Sequence, residues 1–310
     1  MLRVMRGKAT PTELYIYLYV VLVAAYVVLT LVLPPNEVTL KKYDITESQS
    51  RLLSLTVVVP VVAIWFAALY GFIRIKNYAQ IIKNSNEGEA FNRLADGLMI
   101  LAFSLPIGGT ISAALGYISR ENSDLAPTAT IWRNYVSLVL FIAAFMLISK
   151  GAASLVRTLR TKDIRHYPKY WAPALIVLSS IFTALIVARP AGDASGTIYY
   201  LPNWLIVTTL AIPYLLVWHM GMVAAYHLYV YKNKLRGDIY KRAFANLAMG
   251  IAGIVGVSIV LQFVTTITEQ LNRLNLAPLL IVLYLLIALY AVGYSLVARG
   301  AQRLKKIEEV

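Results

Sequence analysis

Few residues in this 310-residue chain could do chemistry, and the histidines come first. His219 and His227 stand eight residues apart in one apolar stretch, while His166 lies outside any such stretch. Eight residues of helix advance about 12 Å at ~1.5 Å each, too far for both imidazoles to grip one metal or to ligate the two faces of one haem. A further ligand would have to come from another helix, yet no other apolar stretch contains a histidine. His219 directly follows Trp218 and is expected to make a buried polar contact across a helix bundle. Asp96 is expected in the first turn of its helix, where the positive end of the helix dipole would stabilise it. The chain has no cysteine, which excludes disulfides, thiolate zinc sites, Fe–S clusters and cysteine nucleophiles. Paired carboxylates, a Ser-His-Asp set and a phosphate-binding loop are also missing from the sequence. The expectation is therefore a non-enzymatic protein with no catalytic residue, no metal and no cofactor.

The elements that must position these residues are membrane spans. Apolar residues make up 59% of the chain and charged residues only 14%, against about 25% charged in a soluble domain. A span needs about 20 apolar residues to cross roughly 30 Å of hydrocarbon with every backbone polar group satisfied within the helix. Eight segments meet that length: 14–33, 52–73, 94–118, 131–148, 171–187, 204–230, 243–267 and 279–297. The basic start at 1–8 leads into a run of this length and not into a short cleavable core, so the first segment is expected to be a retained span.

Lys and Arg close to a span are held on the cytoplasmic side during insertion. With the N-terminus inside, 22 of the 29 basic residues fall on the inner face and seven on the outer. Acidic residues divide as eight and seven, so the whole formal charge of +14 lies inside. Both termini are expected to be cytoplasmic, in the cell membrane. Topology thus accounts for the basic excess without nucleic acid. The segments 150–169 and 232–242 are expected near anionic headgroups, where each basic residue is worth about 1 kcal/mol. Tyr15, Tyr17, Tyr19, Trp132, Tyr170, Trp171, Trp204, Tyr229 and Tyr231 sit near span ends, as interfacial anchors do.

A repeat at an offset of 153 superimposes Pro60 on Pro213 and Trp65 on Trp218, so two helices share Pro-x-x-x-x-Trp. It also pairs Tyr78 with Tyr231, Phe91 with Phe244 and Gly97 with Gly250. The offset moves to 151 at Pro127 and Pro278, then to 149 at Gly151 and Gly300. The expected architecture is an all-α integral membrane protein of eight spans, divided at 1–160 and 161–310 into two tandem four-helix repeats. An even number of spans per repeat gives both copies the same direction and a pseudo-twofold along the membrane normal.

Pro60 and Pro213 each remove a backbone hydrogen bond and are expected to kink their helices beside Trp65 and Trp218. Ser104, Pro106, Gly108, Gly109 and Thr110 are expected to give the third helix a simple packing kink, with a break at mid-membrane as the alternative, where the second copy keeps only Ser258 and Gln262 as polar members. Gly250, Gly253 and Gly256 offer a small-residue face for helix packing. Pro60, Trp65, Pro213, Trp218, His219, Pro106, Gly108 and Gly109 form the candidate kink, interface or solute site. The scarcity of charge within the spans puts a structural or partner-binding membrane subunit first. A permease or channel for an uncharged or lipid-like solute through the repeat interface is the alternative. Membrane lipid, other membrane subunits or a second copy of the chain are the expected partners.

Because the chain lacks cysteine, single thiols can report topology directly. An impermeant maleimide applied to intact cells should label Ser123→Cys and Ser195→Cys and spare Lys8→Cys and Glu308→Cys. Labelling of either terminal position in sealed cells would refute the orientation.

Overall fold

The computed structural model of the protein describes residues 11–32, 40, 44–83, 85–121, 126–158, 177, 212–271 and 276–305. They form seven α-helices: α1 (Pro11–Val32), α2 (Glu47–Ile81), α3 (Asn86–Glu121), α4 (Ala126–Thr158), α5 (Ile212–Lys234), α6 (Asp238–Leu271) and α7 (Leu276–Lys305). Six of them (α1–α4, α6 and α7) are long and apolar enough to cross a membrane. The expected span at 171–187, the boundary between the halves, His166, Tyr170, Trp171 and Trp204 lie outside the described residues. The span expected at 204–230 is described only from Ile212, as α5.

The helices overrun the apolar segments that announce them. α2 begins five residues before its apolar run, where Thr46 Oγ1 accepts from Gln49 N and Thr46 N donates to Gln49 Oε1. This reciprocal box satisfies two of the backbone donors that a helix start leaves orphaned. At its other end, α2 continues to Ile81 through Tyr78 and Ala79, both buried. Hydropathy marks only the part of a helix inside hydrocarbon, and polar ends extend beyond it. Between α5 and α6 the chain reverses at Gly237, whose φ of +96° is a conformation that favours glycine.

The alternative of a broken third helix is corrected. α3 is not broken at 104–110: it is one helix from Asn86 to Glu121, with Pro106 inside it. Ser104 Oγ turns back to donate to Leu101 O at 2.7 Å, and Thr110 Oγ1 donates to Leu22 O of α1 at 3.3 Å. α2 likewise continues through Pro60. Pro213 is the second residue of the described part of α5, where a proline costs no intrahelical bond within that part.

The packing order is a closed ring. α2 packs on α3, α3 on α4, α4 on α5, α5 on α6, α6 on α7 and α7 back on α2, while α1 lies outside against α2 and α3. The outer surface is as apolar as the interior: Val59, Ile281, Leu285 and Val292 are all exposed. A water-soluble bundle would not leave such residues on its outer face, whereas a lipid-embedded one does.

Glycines set the two tightest crossings. A Cβ on Gly97 would lie 2.7 Å from Ala144 O and 2.8 Å from Ile148 N, and one on Gly151 would lie 2.8 Å from Ala90 O. At the other crossing, a Cβ on Gly250 would lie 2.8 Å from Gly293 O and from Val297 N, and one on Gly300 would lie 2.8 Å from Ala243 O. Backbone atoms cannot swing aside as a side chain can. We expect Gly250→Ala to destabilise the bundle by about 1–3 kcal/mol, the usual cost of overpacking. Gly256→Ala, two turns further along α6 with nothing within 4 Å of its Cβ position, should be near neutral. Thermal unfolding of the two variants in detergent checks this contrast.

Candidate functional site: a cavity at the centre of the ring

The six ring helices surround a cavity of about 250 Å3, five of them with residues near their middle and α5 with Tyr214 close to the start of its described part. Val61, Ile64 and Trp65 of α2, Leu105 of α3 and Phe141 of α4 form one arc of its wall. The other arc comes from Tyr214 of α5, Ser258 and Leu261 of α6, and Ile287, Tyr290 and Tyr294 of α7. None of the described lining residues carries a charge. The space is present because the facing side chains are fixed by other contacts. Tyr19 of α1 is fully buried and donates its hydroxyl to Trp65 O at 2.6 Å, and Tyr26 packs on the Trp65 ring at 4.6 Å. Gly109 of α3 makes room for that indole, because a Cβ there would lie 2.7 Å from Trp65 Cη2.

On the opposite side Trp218 is fully buried and its Nε1 donates to Ser258 Oγ at 3.4 Å. Ser258 shares its wall of the cavity with Tyr290. The Tyr294 hydroxyl is buried and has no hydrogen-bond partner among the described residues.

Toward the end of the bundle that carries the α2–α3 and α5–α6 turns, the interior is packed with Leu94, Leu98, Leu101, Leu247 and Ile251. There a chain of four rings crosses from one side to the other. Tyr78 meets Phe91 at 5.0 Å, Phe91 meets Phe244 at 5.9 Å and Phe244 meets Tyr231 at 4.7 Å. Tyr231 also donates to Glu87 Oε1 of α3 at 2.8 Å, which ties α5 to α3.

The sequence-derived candidates divide accordingly. Trp65 lines the cavity, Trp218 supports its wall through Ser258, and Pro60 and Pro213 precede the lining residues Val61 and Tyr214. Gly109 seats Trp65, while Gly108 faces Ser137 of α4, whose Oγ would lie 2.9 Å from a Cβ. Pro106 is buried beside Leu105. His219 is half-buried and does not line the cavity. Among the described residues, no three His, Cys, Asp or Glu converge as metal ligands would. Gly250 and Gly253 face α7, and the Cβ position of Gly256 is open.

Three placements differ from expectation. Asp96 lies ten residues beyond the start of α3, not in its first turn, and ion-pairs with Lys76 of α2 at 2.8 Å. The helix began earlier than its apolar run, so the dipole argument does not reach Asp96. Tyr19 and Tyr231 are buried, not interfacial, because hydroxyl partners at Trp65 O and Glu87 are available inside. Tyr17 and Tyr229 do sit on the exposed surface.

Sequence reasoning missed Tyr214, Tyr290 and Tyr294. The signal was available, since the offset of 149 sets Tyr290 on Phe141 and Tyr294 on Phe145. No protein-family model, curated protein or solved structure matches the chain.

Trp218→Ala should lower stability by about 3–5 kcal/mol, as a fully buried indole lost from a core does. Ser258→Ala should cost less, about 1–3 kcal/mol, because it leaves the buried Trp218 N–H without its acceptor. Thermal unfolding in detergent orders the two. Equal small losses would show that Trp218 is not held by packing.

Proposed function

We propose that this multi-pass helical membrane protein is a non-enzymatic solute-binding protein, taking up an uncharged or lipid-like molecule in the cavity between two tandem four-helix halves. The observation that carries this is the cavity bounded by all six ring helices, with no charge among its described lining residues. Such a space suits a solute that would not be stable among charges and does not need water around it.

The tandem arrangement itself rests on matched contacts. Gly97 meets Ala144 and Ile148, while Gly250 meets Gly293 and Val297, and the offsets of 153 and 149 relate every member of the two sets. The ring pairs Tyr78–Phe91 and Tyr231–Phe244 match in the same way, and Phe91 touches its own counterpart Phe244, as residues beside a twofold axis do. The cross-packing of α4 on α5 and of α7 on α2 is also what such an axis requires. Eight spans follow if 171–187 repeats α1. The pseudo-twofold then runs along the membrane normal, with both termini cytoplasmic.

The structural or partner-binding reading stands first on the scarcity of charge within the spans, with the small-residue and aromatic faces as its packing surfaces. Gly250 and Gly253 of the small-residue face on α6 meet α7 of the same chain, which leaves the cavity as the stronger observation. Membrane lipid is the first partner in this proposal. Another subunit or a second copy comes after it, and nucleic acid has no part.

The test is binding of tritiated propylbenzene, an uncharged single ring with a short substituent, to the protein in nanodiscs. Saturable binding above the partition into empty nanodiscs is expected. Val61→Phe and Leu105→Phe, which fill the space, should abolish the saturable component while leaving the thermal midpoint within a few degrees. Absence of any saturable component in the parent chain would overturn the proposal in favour of the partner-binding subunit.

A further inference from the structure

The two arcs of the cavity wall differ in chemistry at matched positions. At offsets of 153 and 149, Val61 corresponds to Tyr214, Leu105 to Ser258 and Phe141 to Tyr290. Each pair sets hydrocarbon in the first arc against a hydroxyl in the second. Phe145 and Tyr294, related by the same offset of 149, continue the trend.

The hydroxyl arc holds more donors than it uses. Trp218 has one donor and no acceptor, and Ser258 and Tyr290 have one donor each. Trp218 gives its hydrogen to Ser258. At most one further bond can join Ser258 to Tyr290, and whichever of the two hydroxyls donated in it, the hydrogen of the other would be left over at the wall among the described residues. The Tyr294 hydroxyl, on a residue only 2% exposed and without a hydrogen-bond partner among the described residues, adds a donor to the same arc. Burying such a hydroxyl unsatisfied costs about 1–3 kcal/mol, which an acceptor on a ligand would relieve.

Size and charge narrow the ligand further. A cavity of about 150 Å3 is known to take up benzene, so 250 Å3 admits a single ring with a short substituent. With no charge among the described lining residues, a charged head would lack a counter-ion there. We infer that the second-half wall recognises an uncharged, mainly apolar molecule of about substituted-ring size through a carbonyl-type acceptor. Ser258 and Tyr290 supply the donor, and the hydrocarbon arc of Trp65, Leu105 and Phe141 holds the apolar body. This inference rests on the solute-binding reading above.

Two photoreactive probes that differ only in the head test it: an alkyl aryl ketone and the matching alkylarene, each with a diazirine in its chain. Both are offered to the full chain in nanodiscs, and cross-links are mapped by peptide mass spectrometry. The ketone should label residues of α2, α6 and α7 around the cavity about fivefold more than the arene. That factor is what ~1 kcal/mol for one hydrogen bond gives at ~1.4 kcal/mol per tenfold. The combined variant Ser258→Ala, Tyr290→Phe, Tyr294→Phe removes every hydroxyl in this count and should erase the preference, whereas Ser258→Ala or Tyr290→Phe alone leaves a donating hydroxyl and should keep it. If the combined variant fails to fold, Tyr290→Phe with Tyr294→Phe, which leaves Ser258 as the one donor of the count, should shift the ketone's cross-links toward α6. Equal labelling of the cavity by both probes, unchanged in the variants, would overturn the acceptor inference and leave solute binding standing. Absence of cavity labelling by either probe would overturn solute binding and this inference together.

Discussion

Hydrocarbon tails are as apolar as leucine, so water gives membrane helices no reason to associate, and close packing must hold them instead. In this protein that requirement falls on two crossings where backbone approaches backbone. Gly97 and Gly151 let α3 and α4 touch, and Gly250 and Gly300 do the same for α6 and α7. With those two pairs locked, the remaining contacts of the ring follow: α2 and α5 are drawn against the outsides of both pairs and close the circle. A side chain larger than hydrogen at any of the four positions would separate the helices that everything else leans on.

Closure of the ring creates the interior in which polar groups become significant. Outside it, hydroxyls are near headgroups or water and decide little. Inside it, each one must find a partner among a small set of neighbours. Tyr19 finds Trp65 O, Tyr231 finds Glu87, and Trp218 finds Ser258. These bonds tie helices that are distant in the chain, and the last of them holds the Trp218 indole behind the cavity wall. Charge is treated differently. Lys76 and Asp96 pair on a partly exposed flank, with 26% and 43% of their side chains accessible, so the pair adds little to stability. The Arg74 guanidinium rests over the Tyr70 ring at 5.0 Å.

The difference between the two arcs of the cavity has a physical consequence for any occupant. A wall of hydrocarbon on both sides would hold an apolar molecule in any orientation. Hydroxyls confined to α5, α6 and α7 instead give the space a polar side and an apolar side. In the tandem reading, divergence at only a few matched positions converts a symmetric gap into an oriented site without altering the helices that frame it.

Much of this was legible in the residues. Apolar runs of about twenty announce lipid-embedded helices, because an unpaired backbone in hydrocarbon is too costly for any other form. The spacing of Pro60, Trp65, Phe91 and Gly97 against Pro213, Trp218, Phe244 and Gly250 underlies the tandem arrangement proposed above. Composition alone excluded thiol chemistry. Other features were settled only by tertiary structure, since they depend on neighbours distant in the chain. Pro106 stays within a continuous α3, where Ser104 and Thr110 turn their hydroxyls to the carbonyls of Leu101 and Leu22. Tyr19 and Tyr231 go inward because acceptors on other helices are in reach. Tyr214, Ser258 and Tyr290 share one wall only because α5, α6 and α7 come together in a closed ring. Local sequence sets the form of each helix; which side chains meet is decided by how closely the backbones can approach.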